Sequence, residues 1–93
     1  MTEMNLDTRL TVPPQVLSRL VGDETVLLNL ESGIYFGLDG VGQCIWEAVS
    51  EGKTLGETVE VIVAEYEVDG GQAREDVVAF VEELLGRGLV TAG

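Results

Sequence analysis

The sequence predicts an α+β domain, a three-stranded antiparallel sheet packed on three α-helices. Three observations carry that expectation. Residues 16–38 contain three apolar runs rich in Val, Leu and Ile, separated by glycine-containing turns. Residues 39–85 contain three segments of helical period, each preceded by an Asp or Thr suited to cap a helix. Strands come first and helices afterwards, which is the order of an α+β unit and not of an alternating parallel sheet.

Residues 1–12 start with few apolar groups and no period, and are expected to form a flexible N-terminal tail that ends in a short extended pattern at Arg9–Val12. Pro13-Pro14 closes it, and the folded domain is expected over residues 13–91. Gln15 to Val21 reads as the first strand, with Val16, Leu17, Leu20 and Val21 as its apolar content. After the turn cluster Gly22-Asp23-Glu24, Thr25 to Leu30 forms the second strand. Glu31-Ser32-Gly33 closes a hairpin, because glycine takes positive φ without steric cost, and Ile34 to Leu38 returns antiparallel. Ile34, Phe36 and Leu38 then face one side of the sheet and Tyr35 the other.

Asp39 is the N-cap of helix one, whose inner face is Val41, Ile45, Ala48 and Val49, with Trp46 flanking it in a packing role. Gly52 stops that helix. Thr54-Leu55-Gly56-Glu57 is a capping box that opens helix two, with Leu55, Val59, Ile62, Val63 and Tyr66 as its buried stripe. Val59, Val61 and Val63 also alternate as a strand would; the capping box decides for a helix. Asp69, with Gln72 three residues on, opens helix three, which runs from Gln72 to about Leu85 and ends at Gly86 and Gly88. The arrangement is winged-helix-like.

Composition narrows the function. The chain has 93 residues, 45% of them hydrophobic and 24% charged, enough for one folded core and no more. Seventeen acidic residues against five Lys and Arg give a net charge of -12, a field that repels phosphate backbones and anionic membranes and attracts neutral or cationic polypeptides, besides keeping a small protein soluble. With one cysteine, Cys44, and no histidine, the chain lacks Cys/His nucleophile pairs, histidine bases and the usual zinc ligand sets, so no cofactor or metal is expected. The N-terminus lacks the basic and apolar regions of a signal peptide, and no apolar run approaches the ~20 residues that cross a bilayer; a cytoplasmic protein is expected.

Cys44 has no neighbouring cation in sequence to stabilise a thiolate and reads as a structural thiol. Glu75-Asp76, Glu82-Glu83 and Glu65 with Glu67 read as solvated helix surface rather than acid pairs. Gly37, Gly40 and Gly42 precede no Lys-Ser/Thr pair and do not make a phosphate loop.

One feature does point to binding. Ile34 to Leu38 has no obvious later strand to pair with, and an unpaired edge can recruit an extended peptide through its main chain. Helix three is apolar over two rows, Val78-Val81-Leu85 and Val77-Phe80-Leu84, a wider arc than a helix resting on a core requires. Either both rows are buried, or one lines a groove beside the open edge and supplies pockets for the peptide's side chains.

The runs VLLNLESGIYFGLDGVGQCIWEAV and QAREDVVAFVEELLGRGLV, with the Thr54 capping box between them, resemble the PqqD-like family over roughly Val16 to Val90. The resemblance implies a precursor-peptide recognition element, which binds the leader of a ribosomally made peptide as an added strand. On that reading Gly33, Ile34, Tyr35, Phe36 and Gly37 offer the edge, and Val77, Phe80 and Leu84, placed by helical geometry, offer the pockets. Within the family the free-standing acidic domain looks most like the leader-binding proteins of lasso-peptide clusters, which serve a separate leader peptidase. The family's carriers for a radical-SAM enzyme in pyrroloquinoline quinone synthesis are the alternative. A winged-helix DNA-binding protein is the reading from another class, opposed by the net charge; an enzyme lacks any base and nucleophile constellation.

Overall fold

The computed structural model describes residues 5–92. In chain order its elements are β1 (Leu10–Thr11), β2 (Val16–Val21), β3 (Glu24–Asn29), β4 (Tyr35–Leu38), α1 (Gly40–Ser50), α2 (Leu55–Tyr66), α3 (Gly70–Gly86) and β5 (Thr91–Ala92). Strands β2, β3 and β4 form the expected antiparallel sheet in that spatial order, and the three helices follow it.

The turns are built as their residues require. Gly22 and Gly33 adopt φ of +63° and +75°, the left-handed conformation that a side chain would strain. The hairpin before β4 is tied down by Asn29, a buried amide whose Oδ1 accepts the amides of Glu31 (2.9 Å) and Ser32 (3.3 Å). Its Nδ2 donates to the Gly88 carbonyl at 3.2 Å, linking the start of β4 to the loop that follows α3. Asp39, Thr54 and Asp69 are the N-caps of the three helices, as expected, and the Thr54–Glu57 capping box is complete. Asp69 caps a helix that begins at Gly70, two residues ahead of the expected start.

The core lies between the inner sheet face and the helices. Leu27 and Leu38 meet Ile45 and Val49 of α1, Leu55 and Ile62 of α2, and Val77, Val81 and Leu84 of α3. Each such side chain contributes about 1.5–3 kcal/mol on leaving water. Trp46 is buried with them, in the packing role expected of it, whereas Tyr66 is exposed at the end of its stripe. Thr58, outside the expected stripe, is fully buried, and its hydroxyl is satisfied by donating to the Thr54 carbonyl at 2.9 Å.

The N-terminal segment differs from the expected loose tail. Residues 1–4 lie outside the described residues, but from Leu6 to Val12 the chain packs on the domain. β1 pairs antiparallel with β5 in the register Leu10↔Ala92, and Leu10 is only 5% exposed. The physical reason lies at the start of α2, where the first amides of a helix have no partner inside it. The Leu55 amide donates to the Thr8 carbonyl at 3.0 Å and the Gly56 amide to the Leu6 carbonyl at 2.8 Å. Glu57 donates to the Thr54 hydroxyl, and Thr54 to the Glu57 carboxylate. Every orphan donor of that turn therefore has an acceptor, and the arm supplies half of them.

Candidate functional site

Strand β4 lies at the border of its sheet, paired with β3 on one side and with no described strand on the other. The Asn29 amide donates to the Ile34 carbonyl at 2.9 Å, which fixes the phase of the β3–β4 ladder. Ile34, Phe36 and Leu38 therefore turn their main-chain groups toward β3, while Tyr35 and Gly37 turn theirs outward. Two donors and two acceptors are left on the open side. β2 borders the sheet at its other end, next to a smaller hollow of about 270 Å³ beside Trp46.

Alongside the β4 edge runs a groove of about 530 Å³. Phe36 and Gly37 form its strand wall, the first turns of α1 from Asp39 to Ile45 its end, and α3 its far wall. The Phe36 and Phe80 rings meet across its floor with centroids 5.8 Å apart and planes tilted by 45°. Gly42 permits this: a β-carbon there would stand 3.0 Å from Phe80 Cζ.

The expected residues divide between this site and the core. Gly33 shapes the turn that launches β4, and Ile34 and Tyr35 are 39% and 71% exposed on opposite faces of the strand. Phe36, Gly37 and Phe80 line the groove. Val77 and Leu84 do not: both are 0% exposed and belong to the core. At about 100° per residue they lie about 40–60° around the helix from Phe80, in the middle of the inward arc marked by Ala73 and Val81. Phe80 sits on the shoulder of that arc, and the positions continuing the same shoulder are Asp76, Ala79 and Glu83, which complete the wall. The two apolar rows are thus one centre with two shoulders. Projecting the helix outward from Phe80, rather than grouping by hydrophobicity, picks out these three α3 positions; Asp39, Val41, Gly42 and Ile45 join the groove only through the packing of α1.

Charge is unevenly placed. At the α1 end stand Asp39, whose Oδ1 accepts the Gly42 amide at 2.8 Å, and Asp76, whose Oδ1 accepts from Gln72 Nε2 at 3.0 Å. At the other end the Arg87 guanidinium lies 4.9 Å from the centre of the Phe36 ring and 3.2 Å from Glu83 Oε1. Cys44 on α1 is half-buried, and burial, reinforced by Glu65 and Glu47, raises its thiol above the ordinary range. Such a thiol is a poor nucleophile near neutral pH. Among the described residues no His, Cys, Asp or Glu group is placed to hold a metal ion, and no helix is long and apolar enough to cross a membrane.

The family model described as coenzyme PQQ synthesis protein D (PqqD) matches residues 24–90. Two solved structures share the fold. One is TbiB1 in complex with the TbiA(beta) leader peptide, 41% identical, with 86% of this chain and 93% of that one covered at a TM-score of 0.80. The other is lasso peptide synthetase B1 complexed with the leader peptide, 26% identical, with 90% and 96% covered at a TM-score of 0.79. No curated protein matches the chain.

Proposed function

The chain belongs to the PqqD family, and from that premise we propose that it captures the leader segment of a ribosomally made precursor peptide as an added strand along β4 and delivers it to a separate processing enzyme. The carrying observation is the pairing of unused main-chain groups at Tyr35 and Gly37 with an apolar groove on the same border of the sheet. Main-chain bonds set the register of an added strand, and alternate side chains enter the groove, where Phe36 and Phe80 receive them. Two structural relatives are described with leader peptides bound, which supports the same reading.

The action is noncovalent. Holding the leader raises the local concentration of the attached core peptide at the enzyme, and this chain makes and breaks no bond itself. The likeness to a lasso peptide synthetase B1 favours a leader peptidase as the enzyme served over a radical-SAM partner. Duplex DNA is disfavoured: the outward side of α3, the helix a winged-helix protein would lay in the major groove, carries Glu75, Asp76, Glu82 and Glu83 against Arg74 and Arg87.

Calorimetric titration with a leader peptide encoded beside the chain tests the proposal, with Tyr35→Pro as the discriminating variant. Proline at Tyr35 removes an outward amide and spares the bonds to β3, so the fold survives. Affinity in about the micromolar to nanomolar range for the native chain, and at least a tenfold loss in the variant, is expected. Equal affinity in a folded Tyr35→Pro protein refutes strand addition.

A further inference from the structure

The groove has an electrical direction, and we infer that it selects leaders carrying a basic residue before, and an acidic residue after, an apolar or aromatic anchor. This deepens the leader-binding reading and rests on it. Phe36 and Phe80 occupy the middle of the groove and mark where the anchor sits. On one side of them Asp39 and Asp76 line the wall, and among the described residues neither is ion-paired. On the other side Arg87 lies over the Phe36 ring beside the groove-lining Glu83; one of its nitrogens engages that carboxylate, and the guanidinium retains further N–H groups for a second one.

The order of charges in the leader follows from the direction of the strand. The sheet is antiparallel throughout, and antiparallel pairing is the more stable per residue. A leader lying antiparallel to β4 enters beside Asp39, at the strand's end, and leaves beside Tyr35, at its start. Its N-terminal part therefore meets the two aspartates and its C-terminal part meets Arg87. The spacing follows from the helix, which rises about 16 Å between Asp76 and Arg87 at ~1.5 Å per residue. An extended chain covers that length in about five residues at ~3.4 Å each. The matching pattern is Lys or Arg, then the anchor, then Asp or Glu, with the two charges about five residues apart.

The pattern also makes use of the chain's overall field. A net charge of -12 draws in a cationic segment from any direction, but only the aspartate end of the groove lets that segment settle with its backbone against Tyr35 and Gly37. A leader with the reversed order sets its acidic residue against both aspartates and forfeits the contact with Arg87.

The test is selection from an mRNA-displayed library of random 15-residue peptides on the full chain, with Tyr35→Pro as the control that identifies edge-dependent binders. Basic-before-acidic order around an apolar anchor is expected among the winners. The doubly reversed variant Asp76→Lys with Arg87→Glu should invert that order. The neutral variants Asp76→Asn and Arg87→Gln, both at exposed positions, should each erase one preference, weakening individual winners about two- to fivefold. Edge-dependent winners without charge order, or with the same order on the reversed variant, overturn the inference and leave strand capture standing. Absence of any winner that depends on Tyr35 overturns both.

Discussion

Replacing Gly42 with alanine sets two effects of known size against each other where α1 meets Phe80 at the end of the groove. The added β-carbon would lie 3.0 Å from Phe80 Cζ, 3.1 Å from Phe80 Cε1 and 3.2 Å from Asp39 Oδ1, so something must move by a few tenths of an ångström. Overpacking of this kind costs about 1–3 kcal/mol. Alanine in place of glycine within a helix returns about 1 kcal/mol. Because Phe80 borders a groove of about 530 Å³, its ring has room to swing outward, and the cost belongs at the low end of the range. The net change in stability is expected within about 1 kcal/mol of zero, a melting shift of no more than about 8 °C for a domain of this size. The displaced ring, however, fills the anchor position. Leader affinity is expected to fall at least tenfold, about 1.4 kcal/mol, in calorimetric titration, while thermal melting followed by circular dichroism stays near the native value. A variant that melts normally and binds the leader undiminished refutes the assignment of Phe80 to the binding surface. A fall in melting temperature beyond about 15 °C shows instead that Phe80 cannot yield and is a core residue.

Three other outcomes follow from the same geometry. Leu84→Ala is expected to lose about 2–5 kcal/mol in denaturant unfolding and keep its leader affinity in the folded fraction, whereas Phe80→Ala should lose affinity first; the opposite pairing would restore Leu84 to the groove. Asn29→Ala leaves the Gly88 carbonyl and the Glu31 amide without their partner, and a loss of about 1–3 kcal/mol is expected in the same assay. Glu57 has its carboxyl held below the ordinary range by the bond from the Thr54 amide, so its ionised form is the one the fold favours. Its contribution is whole above the ordinary carboxylate range and disappears as the pH falls through the lowered folded value. The melting difference between the native chain and Glu57→Gln should therefore be largest at neutral pH and vanish in acid; a difference that grows in acid contradicts the assignment.

Local chemistry was readable where one residue settles one outcome. Asp39, Thr54 and Asp69 each announced a helix because a side-chain acceptor before an apolar period has few other uses, and Gly33 announced the turn that exposes β4. What stayed hidden depends on partners far apart in the chain. Leu10 and Thr11 meet Thr91 and Ala92 in strands too short to show a period, and nothing near Leu6 reveals that its carbonyl is the acceptor for Gly56. The groove was half legible for a related reason. Hydrophobicity ranks Val77, Phe80 and Leu84 together, while their angular order separates the centre of a face from its margin, and the carboxylates Asp76 and Glu83 look like ordinary solvated surface until the opposite wall is in place.

The ribbon made by β1 and β5 brings residues 10 and 92 side by side. A unit whose first and last strands pair can be spliced into a surface loop of a larger host without a long tether, provided Leu6 to Arg9 stay in place at the start of α2. Grafting this module into a modifying enzyme, with Tyr35 and Gly37 left uncovered, is accordingly a practical route to redirecting that enzyme toward a chosen substrate tag.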